Sequence, residues 1–282
     1  MTRRRIGLGA LGVVVAVVLV VLFRAAAASA QVRYASGQNV VPVFEGWERN
    51  ADGSFNMVFG YMNRNYEEEL DVPVGPNNAI EPGLIDQGQP AHFYARRQQY
   101  VFKVRVPRDW GKKDLVWTLT SHSKTEKAYA TLMPIWEIDV GTYQQNRGGP
   151  GELGEPDEAP SIRMEGAAER TIAVGAPLSL EAFVIDDGKP SDRPTQSGSN
   201  GRVEGPLRQA VVRLDRGMRL GVIWVVYRGD AKAVTFEPRK IAVTDGKAAT
   251  MARFSAPGTY VLRAYADDGI LVSTADVTVT VH

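Results

Sequence analysis

The strongest constraint on the fold is a strict two-residue alternation near the end of the chain. It starts after the turn dipeptide Pro257-Gly258 and continues to Asp267. Asp268-Gly269 then connects this segment to a second alternating segment, which runs from Ile270 to Val281. A period of two places successive side chains on opposite faces of a strand, and Asp-Gly is a preferred hairpin turn. We therefore predict two antiparallel strands, each with one buried face.

Two aromatic residues indicate how these strands are packed. Tyr260 stands at the head of the first strand, two positions before the apolar Leu262. That position is typical of a tyrosine corner in an immunoglobulin-type sandwich, where the hydroxyl bonds back to the preceding corner. Trp224 lies in an earlier alternating segment and takes the place of the central core indole of such a sandwich. We use Trp224, Tyr260 and Leu262 as structural markers of a β-sandwich over residues 161–282.

The same half of the chain resembles a known family. The motifs that carry the resemblance follow one another as Ile223 to Val226, Val234 to Phe236, Ala252 to Tyr260, Asp267 to Gly269 and Val277 to Val279. Together they resemble bacterial polycystic-kidney-disease (PKD) and related immunoglobulin-like domains over residues 173–282. Residues 191–206, rich in Ser, Gly, Pro and Arg, are an insertion relative to that family and are predicted to form a mobile loop. Such domains are extracytoplasmic spacers or adhesive modules, so the resemblance implies a location but no reaction.

The first half of the chain shows the same alternation without a family resemblance. Its alternating segments are Val41 to Trp47, Ser54 to Asn63, Leu70 to Val74, Tyr100 to Val106, Leu115 to Leu119 and Ala128 to Leu132. Turn signals separate them and none has a convincing helical period, so we predict a second immunoglobulin- or fibronectin-like sandwich over residues 34–140. Residues 141–160, rich in Gly, Pro and Glu, are predicted to be a solvated linker. The predicted fold class is thus all-β, with two sandwich domains.

Residues 1–30 have the composition of an export signal. Arg3 to Arg5 precede an uninterrupted apolar run from Ile6 to Phe23, and Ala28-Ser29-Ala30 before Gln31 fits a cleavage site of the A-x-A type. The apolar run is also close to the length that spans a bilayer, so an uncleaved inner-membrane anchor stays open as an alternative. In both cases the arginines remain inside, and the chain from Gln31 onward is expected in the periplasm or outside the cell.

Composition argues against several classes of function. The chain has no cysteine, which excludes disulfides, thiol nucleophiles and cysteine zinc ligands. Its 33 basic and 32 acidic residues nearly balance, so there is no electrostatic footprint for nucleic acid. His92, His122 and His282 lack Asp, Glu or His neighbours at ligand spacing, and no nucleophile elbow is present. We expect a protein that is not an enzyme and has no cofactor and no metal site.

Two groups of acidic residues leave alternatives open. Glu67 to Glu69 with Asp71 could place two carboxylates on one strand face, but charges that protect a sheet edge are the simpler interpretation. Asp186-Asp187-Gly188 and Asp267-Asp268-Gly269 could contribute to a calcium site. Each fits an ordinary hairpin turn better, because neither has the spacing of a calcium-binding loop.

A polar turn and a tryptophan are the first candidates for an interaction surface. Asn63-Arg64-Asn65-Tyr66 combines amide and guanidinium donors with an aromatic ring, and Trp110 is a second candidate ring. Exposed rings beside such donors suit either a protein hot spot or the face of a sugar.

An apolar stripe in the second half is the other candidate surface. If Trp224 points inward, Ile223, Val225 and Tyr227 point outward together. Such a stripe must be covered by another strand, by the first domain or by a partner chain. The leading hypothesis is a non-catalytic extracytoplasmic binding or scaffold protein for an envelope or surface protein. The alternative is a carbohydrate-binding or matrix-adhesion module that uses aromatics of the first domain.

Overall fold

The described residues are organised by strands that follow the two-residue alternation of the sequence. The computed structural model describes residues 34–147, 157–189, 213–215 and 217–282. In this part of the chain seventeen strands and little helix confirm the predicted all-β fold class. The predictions for residues 1–30, for the loop at 191–206 and for residues 148–156 of the linker lie outside the described residues.

The N-terminal sandwich contains the first eight strands. These are β1 (Val40–Arg49), β2 (Phe55–Asn63), β3 (Leu70–Asp71), β4 (Asn78–Glu81), β5 (His92–Phe93), β6 (Arg96–Val106), β7 (Leu115–Ser121) and β8 (Lys124–Ala130). One sheet has the order β1-β2-β6 and the other β4-β7-β8, while β3 and β5 form a short separate pair. The strand predicted to continue to Val74 ends at Asp71, ahead of Pro73, which has no amide hydrogen to donate to a sheet.

Aromatic side chains fill the core of this sandwich. The Trp117 indole is fully buried and lies roughly perpendicular to the rings of Phe59 and Phe102, with ring centroids 5.9 and 5.0 Å away. Edge-to-face contacts of this kind are the favoured arrangement of aromatic rings. The core also contains one residue from far along the chain, Tyr227, so it is completed from the second half of the protein.

The C-terminal sandwich contains the last nine strands. Its strands are β9 (Ser161–Met164), β10 (Glu169–Ile172), β11 (Leu178–Ile185), β12 (Gly221–Arg228), β13 (Val234–Glu237), β14 (Lys240–Ala242), β15 (Lys247–Phe254), β16 (Gly258–Asp267) and β17 (Val272–Val281). A sheet β9-β11-β15-β13 faces a sheet β10-β17-β16-β12-β14. Only β10 and β17 run parallel, and every other neighbouring pair described here is antiparallel.

The three structural markers lie inside this sandwich. The Tyr260 hydroxyl donates to the main-chain oxygen of Ala256 at 2.9 Å, which is the geometry of a tyrosine corner. Leu262 and Trp224 are fully buried, and the Trp224 ring stacks on Phe236 with centroids 6.0 Å apart.

A short helix occupies the start of the segment that we predicted to be a linker. This helix, α1 (Val140–Arg147), begins after Asp139, whose carboxylate accepts hydrogen bonds from the main-chain N–H and the hydroxyl of Thr142 at 2.7 and 2.8 Å. An aspartate in that position satisfies amide groups that have no partner within the first turn. We did not predict this helix, because we judged the composition over the whole segment. The Gly and Pro residues of the segment are concentrated after position 147, beyond the helix. None of the helices formed by the described residues is long and apolar enough to cross a membrane.

Candidate functional site

The apolar stripe of the C-terminal sandwich is covered within the chain. Ile223, Val225 and Tyr227 are 0, 2 and 4% exposed, so they do not form an open surface for a partner. Ile223 and Val225 pack with Tyr265 and with Tyr94 of the N-terminal sandwich, while Tyr227 enters the N-terminal core. The sequence left three possible covers open: another strand, the first domain or a partner chain. In the structure the first half of the chain covers the stripe. The described residues from Ala35 to His282 accordingly form one compact unit.

A tyrosine hydroxyl completes the edge of strand β12. The strand pairs with β16 on one side, but on the other side β14 reaches only as far as Ile223. Beyond that point the Tyr94 hydroxyl accepts a hydrogen bond from the N–H of Val226 at 2.9 Å and donates to the carbonyl of the same residue at 3.2 Å. A hydroxyl can do both, since it carries one donor and two acceptor sites. The edge is therefore closed to further strand addition at this residue.

The loop between β4 and β5 supplies further contacts to the end of β12. The Arg228 guanidinium donates two hydrogen bonds to the Asp86 carboxylate, both at 2.8 Å, and two more to the main-chain oxygen of Gln89. The Tyr227 hydroxyl donates to the Gly88 carbonyl at 2.5 Å. A bidentate pair of this type fixes direction as well as distance, so the loop and the end of β12 are held in one orientation.

Arg263 is buried at the same interface. Its guanidinium makes two hydrogen bonds of 2.7 Å to Asp276, lies 3.4 Å from the centre of the Tyr227 ring and donates to the Val101 carbonyl at 3.2 Å. The residue is only 9% exposed. All three contacts are needed because a buried guanidinium is costly unless its charge and its donors are matched.

His92 is held by two carboxylates from the acidic run. Its Nδ1 lies 2.8 Å from Asp71 and its Nε2 lies 3.1 Å from Glu69, and its ring packs at 4.5 Å against Tyr94. Both partners are acceptors, so both ring nitrogens donate only when the imidazole is charged. Burial by itself would lower the pKa of His92, but the hydrogen bonds and charges of Asp71 and Glu69 raise it above its usual value.

This arrangement corrects the interpretation of the acidic run as a solvated edge. Glu69 and Asp71 do share a face of the chain, and that face holds a histidine whose ring supports the docking tyrosine. Glu68 likewise accepts from His122 at 3.2 Å and from the N–H of Gly37 at 2.6 Å. The pairing could not be read from spacing, because His92 and His122 are far from the run in sequence.

We expect the stability of the protein to fall as pH rises through the pKa of folded His92. A histidine whose folded pKa is raised contributes its full stabilisation below about pH 6.5, the usual histidine pKa, and loses it above the folded value. Urea unfolding of the wild type and of His92→Gln at pH 6, 7 and 8 measures this. The wild type should lose stability over that range relative to the variant, whose glutamine has no charge to lose. Parallel pH profiles for the two proteins would contradict the assignment.

A groove of about 1100 Å³ opens beside the docked interface. Its floor is the face of sheet β1-β2-β6 that points away from the core and includes Glu48, Tyr100 and Lys103. One wall is α1, and the opposite wall is the start of β17 in the C-terminal sandwich. His92, Tyr94, Tyr227 and Arg263 also line it, so the groove is shaped by the same residues that lock the two sandwiches together.

Charged groups in the groove are arranged in pairs. Lys103 lies 2.8 Å from Glu48, and the Tyr143 hydroxyl of α1 makes a short hydrogen bond to the same carboxylate. Burial and the charge of Glu48 raise the pKa of Tyr143, so its hydroxyl stays a donor. Tyr143 also packs on Tyr100, with ring centroids 4.6 Å apart.

A second ion pair lies deeper beside the floor. Arg97 makes two hydrogen bonds of 2.7 Å to Glu45, whose side chain is 7% exposed. Burial raises the pKa of Glu45, and the positive charge of Arg97 opposes that effect. The pair is packed against Gly60, where an added Cβ would collide with the Glu45 carboxylate and with the Gln98 carbonyl. In the described part of the chain, no group of three or more His, Asp or Glu side chains could hold a metal ion.

No protein-family model matches the chain, and no curated protein matches it. Among solved structures, a complex of titin M10 and obscurin-like 1 Ig domains is 13% identical over 45% of this chain and 96% of its own, with a TM-score of 0.26. Domains 4 and 5 of the S-layer protein SbsC are 9% identical over 60% of this chain and 65% of their own, with a TM-score of 0.26. The D00-D0 domain of intimin is 9% identical over 86% of this chain and 100% of its own, also with a TM-score of 0.26. These similarities identify no partner, ligand or location for this chain.

The predicted polar turn is a structural element rather than an open surface. Asn63 and Asn65 are fully buried. The Asn63 amide donates to the carbonyls of Glu68 and Phe93, and the Asn65 amide donates to the carbonyl of Gln38. An amide that joins three chain segments in this way keeps otherwise unpaired carbonyl groups satisfied.

The remaining candidates differ in exposure. Arg64 is exposed, and Tyr66 is half-buried with the Arg96 guanidinium 3.8 Å from its ring centre. Trp110 is 9% exposed and its indole donates to the Lys113 carbonyl, so it does not form an open aromatic platform. The groove residues Tyr100 and Tyr143 were missed, because α1 was not predicted and an isolated tyrosine in a strand pattern carries no signal of its own.

Proposed function

We propose that this chain is a non-catalytic extracytoplasmic binding protein that holds a segment of an envelope or surface protein in the interdomain groove. The observation that carries the proposal is the groove itself, a concave site of about 1100 Å³ lined by tyrosine and charged side chains. Its volume is at or above the upper end of ordinary small-molecule pockets, which favours a peptide segment over a small ligand.

The residue types in the groove support a protein partner. Tyrosine and arginine are enriched among the residues that dominate binding energy in protein interfaces. The groove is lined by Tyr100 and Tyr143, which pack on each other, and by Arg49. These groups present aromatic surface next to donors at a low cost in side-chain entropy, because both tyrosines are already packed on each other.

The docked interface supports binding because it fixes the shape of the groove. Tyr94, Tyr227 and Arg263 line the groove and also hold the two sandwiches together. A site whose walls cannot move apart does not lose binding energy to ordering them.

The pairing of charges in the groove supports binding rather than catalysis. Glu48, Arg97 and Arg263 each have a partner of opposite charge among the described residues. A general acid or base needs a proton that it can exchange with a substrate, whereas these groups are engaged in ion pairs. The export-like composition of residues 1–30 supports a location outside the cytoplasm.

A photo-crosslinking experiment in intact cells tests the proposal. We place p-benzoylphenylalanine at Gln99 or Thr274, which line the groove, and at Thr235, an exposed residue of β13 outside it. The two groove positions should give crosslinks to one defined envelope protein, and Thr235 should not. Equal crosslinking from all three positions would contradict a groove site. Retention with the polysaccharide fraction and no protein crosslink would replace the proposal with the carbohydrate alternative.

A further inference from the structure

Two buried aspartates in the second half of the chain have oxygen atoms without hydrogen-bond partners among the described residues. Asp157 is 7% exposed, and neither of its carboxylate oxygens has a partner among the described residues. Asp268 is 2% exposed. Its Oδ1 accepts from the N–H groups of Ile270 and Leu271 at 2.6 and 2.8 Å, but its Oδ2 has no partner. A buried carboxylate is costly unless a cation or a set of donors compensates it.

The fold brings these two residues together from distant parts of the sequence. Asp268 lies in the turn between β16 and β17, and Asp157 lies four residues before the first residue of β9. The antiparallel register of β9 and β11 ends with Ser161 opposite Ile185, so the segment before β9 and the segment after β11 leave the sheet at the same end. The charges of Asp186 and Asp187 act on Asp157, the charge of Asp157 acts on Asp268, and Ala159 and Leu271 line one groove, so the three aspartate-bearing segments lie near one another.

The electrostatics of this end of the sandwich are strongly negative. Burial raises the pKa of Asp268 to about 7, and the charges of Asp157 and Asp267 add to that effect against the opposing main-chain hydrogen bonds. Burial also raises the pKa of Asp157, with contributions from Asp187 and Asp186, while Lys189 opposes them. Each carboxylate thus lies within electrostatic range of other carboxylates, and one lysine is the cation that acts on Asp157.

We infer that Asp157 and Asp268 bind a divalent cation, with Ca²⁺ as the best match. Carboxylate oxygens are hard ligands, and Ca²⁺ accepts irregular shells that include main-chain carbonyls and water. The two carboxylates have three oxygens without hydrogen-bond partners, which are too few to fill the coordination shell of Ca²⁺. Water and main-chain oxygens therefore complete the shell. Mg²⁺ fits less well because it demands near-octahedral geometry and loses its water reluctantly.

A bound ion would link the segment before β9 to the turn between β16 and β17. Ala159 and Leu271, which are close in sequence to the two ligands, both line the interdomain groove. The ion would therefore stabilise the groove wall on the C-terminal side. The inference does not depend on the proposed function, because the carboxylates lack partners whatever the groove holds.

Calcium titration of the chain from residue 31 onward tests the inference. After treatment with EDTA, the melting temperature is measured with and without CaCl₂, and heat of binding is measured by calorimetry. A ligand that binds only the folded state raises its stability in proportion to the logarithm of its concentration above Kd. We expect one Ca²⁺ per chain, a melting temperature several degrees higher, and a weaker response to MgCl₂.

Three variants decide where the ion binds. Asp157→Asn and Asp268→Asn should each weaken Ca²⁺ binding by tenfold or more, while Asp109→Asn, an exposed aspartate of the N-terminal sandwich, should bind as the wild type does. Without Ca²⁺, the first two variants should melt at or above the wild-type temperature, since each removes a buried charge. A wild type that shows no response to millimolar Ca²⁺, or a response that both variants retain, overturns the inference. Variants that melt lower than the wild type without Ca²⁺ and leave Ca²⁺ binding unchanged assign the carboxylates a purely structural role.

Discussion

Asn78→Ala should lower the free energy of unfolding by about 3–5 kcal/mol, because it leaves several buried polar groups without partners. Asn78 is fully buried in β4. Its amide donates to the carbonyls of Val72 and Pro90 at 2.9 and 2.7 Å, and its Oδ1 accepts from the Trp117 indole at 2.9 Å. An unpaired buried donor or acceptor costs about 1–3 kcal/mol, and alanine is too short to replace any of the three bonds.

The neighbouring asparagine provides a matched control. Asn77 is exposed, and its described hydrogen bond uses the main-chain oxygen, which accepts from the N–H of Thr120 at 2.8 Å. Asn77→Ala keeps that oxygen and should change stability by less than about 0.5 kcal/mol. Urea unfolding followed by tryptophan fluorescence measures both variants. A loss below about 1 kcal/mol for Asn78→Ala would show that the three bonds do not act together as described.

Asp276→Asn should lower the free energy of unfolding by about 2–3 kcal/mol, because it leaves the Arg263 charge buried without its counter-ion. Breaking a fully buried pair costs about 3–5 kcal/mol, and the value expected here is smaller because the Asp276 side chain is 39% exposed. The Val101 carbonyl and the Tyr227 ring remain as contacts of the guanidinium. They compensate part of the charge but cannot replace a carboxylate.

A double-mutant cycle separates the ion pair from general disruption. Adding Arg263→Met to Asp276→Asn should recover part of the loss, since no charge then remains buried. Glu137→Gln is the control, because its pair with Arg49 is 57 and 43% exposed and exposed pairs contribute about 0–1 kcal/mol. Strictly additive losses in the double variant would contradict the burial of the charge as the cause.

Local patterns in the sequence were sufficient for much of the fold. The alternation from Thr259 to Asp267 predicted β16, and the position of Tyr260 predicted the corner that its hydroxyl forms. The stripe of Ile223, Val225 and Tyr227 was expected to need a cover, because three outward apolar residues on one strand cannot remain in water. Each of these inferences depends on residues that are close in the chain, where strand geometry relates sequence position to direction.

The candidate site was harder to predict, because it depends on contacts between distant segments. Asn63 and Asn65 have the same chemistry whether they face a partner or bind carbonyl groups of their own chain, and only the fold distinguishes the two. Glu69 and Asp71 were separated from His92 by a loop of unknown course. Tyr94 carries no sequence signal for its role, since any exposed tyrosine could complete a strand edge. Asp157 lay in a segment whose composition indicated only a linker.

The insertion of Tyr227 into the N-terminal core has a consequence for the order in which the chain folds. The N-terminal sandwich precedes the C-terminal one along the chain, and N-terminal domains generally fold first. Until β12 forms, the place of Tyr227 in the N-terminal core is unfilled. In the folded chain the first half covers the apolar stripe of β12. We therefore expect this stripe to remain exposed in a chain whose first half is deleted or unfolded.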